Sequence, residues 1–217
     1  MSARRTAPAQ LGFDALLSNA DQVNANRQAA RKSADLPGTM DEALPFYRSL
    51  IDRHHAAMLA GDAEAVLGLH REAHRLAEKL NGYEPGIIAD DDAPGCVLDR
   101  ETRSPDGTVP LWGQSGKFGI TVGGMRVLIR IDGLFGIGSC AFVWPGFEAF
   151  VVDPDKPFLS ETGYRCFIGL TAKLQPGYTP DSFVAEVIAE HVRREMKGRL
   201  LAIKPQYQKR DREKARS

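Results

Sequence analysis

The sequence predicts an α+β fold: an N-terminal helical hairpin, a four- to five-stranded antiparallel meander, and a C-terminal helix covering it. Three observations carry this. Apolar residues recur at three- and four-residue steps between Leu44 and Leu80. The period changes to two from Lys117, and the helical period returns after Thr179-Pro180-Asp181-Ser182.

Residues 1–38 are polar, with one short apolar cluster at Phe13, Leu16 and Leu17 and an end at Leu36-Pro37-Gly38. The expectation is a mobile arm with a helix over 13–33. A single α+β domain is expected over 39–198, beginning with the hairpin 39–82. Thr39-Met40-Asp41-Glu42 has the S/T-x-x-E spacing in which the first and last side chains satisfy each other's free backbone donors. Leu44, Tyr47, Leu50, Ile51, His54 and Met58 form the apolar stripe of the first arm, which stops at Gly61. Asp62 caps the second arm, whose stripe is Val66, Leu69, Ala73, Leu76 and Leu80 and whose end is Asn81-Gly82. The short turn makes the two helices antiparallel neighbours.

Over 83–116 the chain is acidic and contains Pro85, Pro94, Pro105 and Pro110, so an irregular connection is expected. The sheet is expected over 117–171. Phe118, Ile120 and Val122 alternate with polar positions, as do Met125, Val127, Ile129 and Ile131 after Gly123-Gly124. A two-residue Gly-Gly turn pairs Val122 with Met125, Ile120 with Val127 and Phe118 with Ile129, which puts all six on one face. Further strands are expected over 140–152, interrupted at Pro145-Gly146, and over 164–171 with Tyr164, Cys166, Ile168 and Leu170 in phase. The covering helix, 179–197, carries Phe183, Val184, Val187, Ile188 and Val192 on one stripe, and 199–217 is a basic tail.

With 217 residues, equal numbers of basic and acidic side chains and 43% hydrophobic residues, the composition excludes collagenous and wholly disordered chains. No window approaches the roughly 18 consecutive apolar residues of a membrane span. Cys96, Cys140 and Cys166 form no CxxC pair, so reduced cysteines in a cytoplasmic, bacterial protein are expected. Overall neutrality hides a split. From Arg193 to Ser217 ten bases face three acids, whereas Glu84 to Asp106 holds seven acids and two bases.

Four of the five histidines, His54, His55, His70 and His74, lie in the hairpin, and His70 and His74 have the i, i+4 spacing of metal ligands. The intervening Arg71-Glu72-Ala73 departs from H-E-x-x-H, and a histidine-edged helix packed in the core is the favoured reading. Asp90-Asp91-Asp92 matches no calcium-loop spacing and reads as a solvated loop. Gly133, Gly136 and Gly138 lie between strands with no following helix, so they read as a bend rather than a phosphate cradle. Gly113-Gln114-Ser115-Gly116 lacks the nucleophile-elbow spacing.

The function read from the sequence is therefore a noncatalytic binding or regulatory protein acting through protein contacts, with the tail as an electrostatic arm. Its contact residues for an acidic partner or nucleic acid are Lys117, Arg126, Arg130 and Arg165 on an outer sheet face, with Leu128 and Phe167 among them. Arg193, Arg194, Lys197, Arg199, Lys204, Lys209 and Arg210 complete the set at the C-terminal end. Nucleic-acid binding through the tail and that face is the alternative, and a metal-assisted hydrolase built on the hairpin histidines is a third. No catalytic, metal or cofactor residue is assigned. The expected partner is a protein, with a homodimer among the allowed assemblies and no membrane involved.

Overall fold

The computed structural model describes residues 9–136, 146–168 and 175–208. Six helices and a four-stranded antiparallel sheet form an α+β fold among these residues. The expected strand stretch 140–144, the end of the last strand over 169–171, and Lys209 and Arg210 lie outside them.

Helix α1 spans Ala9–Lys32, starting earlier than the apolar cluster suggests. The stretch expected to be a mobile arm is fastened where it leaves this helix. Ser33 and Leu36 are buried, and the Lys79 ammonium donates to the Ser33 carbonyl at 2.9 Å. Helix α2, Met40–Ala60, and α3, Ala63–Leu80, form the antiparallel hairpin. The Thr39 side chain accepts from the Glu42 amide at 3.4 Å, while the Glu42 carboxylate takes the Gly38 amide rather than that of Thr39. Gly61, at φ 71°, ends α2 in the left-handed conformation that a Cβ disfavours, and the Asp62 carboxylate accepts from the Ala65 amide at 3.0 Å.

The acidic connection is not wholly irregular, because Pro94–Glu101 forms helix α4. Pro94 stands in the first turn, where its missing N–H is one that a helix leaves unpaired anyway, so proline starts this helix instead of breaking it. Leu98 then points into the hairpin with no exposed surface. Burial of this one side chain, worth about 1.5–3 kcal/mol, offsets the weak propensity of a short, charged segment.

Strands β1 (Gly116–Val122), β2 (Met125–Ile131), β3 (Phe147–Val151) and β4 (Tyr164–Phe167) follow in meander order. The β1–β2 register is the one dictated by Gly123-Gly124: Phe118 opposite Ile129, Ile120 opposite Val127 and Val122 opposite Met125. Strand β4 has the opposite phase to that expected. Phe147 pairs with Phe167 and their rings stack at 4.6 Å, so positions 165 and 167 face inward, whereas Tyr164 and Cys166 share the outer face with Glu148. Seating the Phe167 ring in the core fixes this short strand's phase, because a one-residue slip would carry the ring into solvent.

Helix α5, Pro180–Arg194, covers the inner face with Phe183, Val184, Val187 and Ile188. The chain then turns back. Phe158 and Leu201 exchange both backbone hydrogen bonds, at 2.8 and 2.9 Å, Ile203 is buried, and the short helix α6, Pro205–Gln208, brings Tyr207 onto the same core. The tail therefore begins as packed structure rather than as a free arm. Two apolar cores result. One lies between the sheet, α5 and the C-terminal strap, and the other lies inside the hairpin with Leu36, Leu98, Leu134 and Phe135.

Candidate functional site

The junction between the cores is where the hairpin histidines lie. His54 is 6% exposed. Burial pushes its imidazole down to about 4, against a hydrogen bond to the Trp112 backbone that acts the other way. Nδ1 of the adjacent His55 accepts the Trp112 amide at 3.1 Å, and burial lowers that histidine too, with Asp52 opposing. His55 thus holds the Trp112 peptide of the chain entering the sheet, with His54 buried beside it. Gly113, at φ 88°, lets the backbone pass so close that a Cβ there would come within 2.8 Å of His54 Nδ1. His70 and His74 stack at 4.6 Å, and His74 tilts against Phe135 at 5.4 Å. Burial lowers His74 as well, with Glu78 and the Leu134 backbone opposing. Among the described residues no three His, Cys, Asp or Glu side chains gather to hold a metal ion. Of the four, His55 makes the hydrogen bond that ties the hairpin to the chain entering the sheet, while His70 and His74 pack through their rings.

Asp99 enters the same junction from α4. Its carboxyl is raised, first by burial and then by the Asp132 charge, with a Ser115 hydrogen bond opposing. A more open cleft of about 410 Å³ lies beside it, lined by Arg48, Asp52, Glu101, Arg103 and Gln114 among others. Gln114 spans this wall, donating to the Thr102 carbonyl at 2.7 Å and accepting the Leu111 amide at 3.0 Å.

The outer face of the sheet is different in kind. Register places Gly119, Leu128, Phe150 and Tyr164 in one row across all four strands, and Lys117, Arg130, Glu148 and Cys166 in the next. Tyr164 is 39% exposed, its ring meets Phe150 at 5.2 Å, and its hydroxyl donates to Glu148 at 2.7 Å. The Arg130 guanidinium lies over the Phe150 ring at 6.0 Å and pairs with Glu148. On the other flank, Arg126 Nε donates to Asp153 at 2.9 Å, which holds that carboxyl down to about 2. The result is an apolar row bordered by fixed pairs of opposite charge.

Three of the sequence-predicted contact residues, Lys117, Arg126 and Arg130, share this face. Arg165 does not join them. It lies on the side of Ala149 and Phe167, its guanidinium over the Phe167 ring at 5.9 Å, near His191 of α5. Phe167 likewise belongs to the core. At the C-terminal end Arg193 and Arg194 pair with Glu190, and Lys204 pairs with Glu161. Lys197 and Arg199 are exposed on the turn that follows α5. The face residues not foreseen are Gly119, Glu148, Phe150, Asp153 and Tyr164. For Glu148 and Phe150 the signal was the alternation of Phe147-Glu148-Ala149-Phe150-Val151, which puts one acid and one aromatic outward.

No helix among the described residues is long and apolar enough to cross a membrane. No solved structure matches the chain. Residues 115–213, from just before β1 through the C-terminal strap, match the KlcB third domain family. A Protein KlcB of Escherichia coli is 34% identical over 166 residues, covering 76% of this chain and 38% of that protein. A second Protein KlcB of Escherichia coli is 34% identical over 155 residues, covering 64% and 33% respectively. The chain thus spans about a third of the length of these relatives, and the family match includes the four strands, α5 and the C-terminal strap.

Proposed function

We propose that the chain is a noncatalytic binding module that meets a protein partner through the outer face of its sheet. The row Gly119–Leu128–Phe150–Tyr164, bordered by Arg130–Glu148 and Arg126–Asp153, supports this reading. Protein interfaces combine an apolar, aromatic centre with a polar rim, and tyrosine and arginine are the side chains they favour. A phosphate backbone asks instead for unneutralised positive charge. Here both outer-face arginines are matched by carboxylates and the exposed Arg165 projects from the opposite side of the sheet, over Phe167, which leaves Lys117 as the outer face's contribution to a polyanion site. The nucleic-acid reading then rests on the basic C-terminal end.

A photo-crosslinking amino acid in place of Leu128, at the centre of the row, should trap a protein in the native host. The same group at exposed Glu64 on α3 should trap none. Adducts with nucleic acid only, or none at position 128, would overturn the reading.

A further inference from the structure

The outer face is complementary to itself, and we infer that its occupant is a second copy of this chain, docked face to face about a two-fold axis parallel to the strands between β2 and β3. The inference rests on the reading of this face as a protein-binding surface and identifies the partner.

Such an axis exchanges β1 with β4 and β2 with β3. It therefore sets each outer-face residue against the one that register places across the sheet's midline. Arg130 of one copy meets Glu148 of the other, and each copy's own Arg130–Glu148 pair is covered by the same pair reversed, a ring of four alternating charges. On the opposite flank the same operation brings Arg126 over the exposed Val152, one residue short of the Asp153 that pairs with Arg126 within each copy. In the apolar row Leu128 meets Phe150, and the exposed Tyr164 ring of β4 meets Gly119 of β1. Gly119 is the notch this needs: a Cβ built there finds nothing within 4 Å, so the strand offers open space where the tyrosine arrives. An isologous contact requires the same patch on both partners to be self-complementary.

The alternative two-fold, lying along the apolar row, sets Arg130 against Arg126 and is repulsive. Sheets packed face to face lie about 10 Å apart and rotate by about 30°, which disturbs the central β2 and β3 pairs least. Four strands at ~4.8 Å spacing and about five residues at ~3.4 Å rise give a footprint of roughly 19 by 17 Å. That is smaller than the ~800 Å² per partner of a standard interface, so the dimer should be weak and concentration-dependent.

Sedimentation equilibrium of the whole chain up to about 100 µM should show a monomer–dimer equilibrium with a micromolar constant. Arg130→Glu and Glu148→Arg should each lower self-association more than tenfold, because four like charges then meet. Mixed together, the two variants should form a 1:1 heterodimer, since one copy is then acidic where the other is basic. Gly119→Phe should abolish the dimer without lowering the thermal midpoint, as the notch is empty in the monomer. A monomer at every concentration, two variants that stay monomeric on mixing, or a dimer that survives Gly119→Phe would each overturn the inference. If the chain is monomeric and the group at position 128 still traps a different protein, only the identity of the partner fails. If it traps nothing, the binding face itself fails.

Discussion

Polar side chains are used in two opposite ways by the two sides of this molecule. At the junction of hairpin and sheet they are buried and titrate away from their ordinary values: His54 is pushed down to about 4, and Asp99 is pushed up. On the outer sheet face they are exposed and paired, Arg126 with Asp153 and Arg130 with Glu148. The first arrangement trades solvation for a fixed joint between two cores. The second keeps charges in water at little cost to the fold and leaves them available to a partner. The contrast predicts that substitutions at the junction act on stability, and that substitutions on the face act on association.

The largest effect should come from Trp112. It is 1% exposed, sits edge-on to Phe183 at 5.5 Å, donates its indole N–H to the Tyr178 carbonyl at 2.7 Å, and has its amide held by His55. Trp112→Ala should cost about 3–5 kcal/mol in urea unfolding. A loss under about 1 kcal/mol would mean that the two cores are joined elsewhere. Acid should have the next largest effect. The folded-state value of His54 lies below its unfolded one, so between pH 6.5 and about 4 the unfolded chain binds the extra proton. Stability is then full above pH 6.5 and is lost as the pH falls, by up to about 1.4 kcal/mol per unit from this group. His55 and His74 are lowered in the same direction and add to the slope. His54→Gln should flatten the profile, as followed by Trp fluorescence in a Trp144→Phe background.

Packing at the joint gives a third test. A Cβ on Gly133 would stand 2.1 Å from Asp99 Oδ1 and 3.2 Å from the Gly113 carbonyl oxygen. Gly133→Ala should therefore cost about 1–3 kcal/mol. Asp99→Asn, which keeps the shape and removes a charge disfavoured by burial, should stabilise the chain at neutral pH, with the gain disappearing in acid as the native carboxyl takes up its proton. A pH-independent gain would point to packing instead of charge.

Local signals made most of the fold legible. Gly61 and Asp62 fixed the hairpin turn, Gly123-Gly124 fixed the β1–β2 register, and Thr179-Pro180 placed the start of α5, where the Thr179 amide donates to Ser182 Oγ at 2.9 Å. What escaped was set by distant partners. Helix α4 depends on Leu98 finding the hairpin, and the phase of β4 depends on Phe167 finding Phe147. The same holds for the candidate face. Arg126 and Arg130 were placed correctly by alternation within one strand, whereas their neutralising acids come from beyond a long connection whose glycines mark a bend but, unlike a two-residue turn, set no register. A basic face in the sequence thus became a charge-paired face in the fold.

The smallest stability effect is expected where the functional effect is expected to be largest. The Arg130 and Glu148 side chains are 44% and 21% exposed, and ion pairs this close to water contribute about 0–1 kcal/mol. Arg130→Ala and Glu148→Ala should each shift urea unfolding by no more than about 0.5 kcal/mol, near the error of such measurements. Tyr164→Ala should do little more, since the ring is partly exposed and its hydroxyl bond is to the surface carboxylate of Glu148. All three should weaken contact at the face, because Tyr164 supplies its aromatic edge and the charge pair supplies its polarity. Stability losses above about 2 kcal/mol, on the scale of the junction variants, would make this network a part of the core and erase the distinction between the two sides.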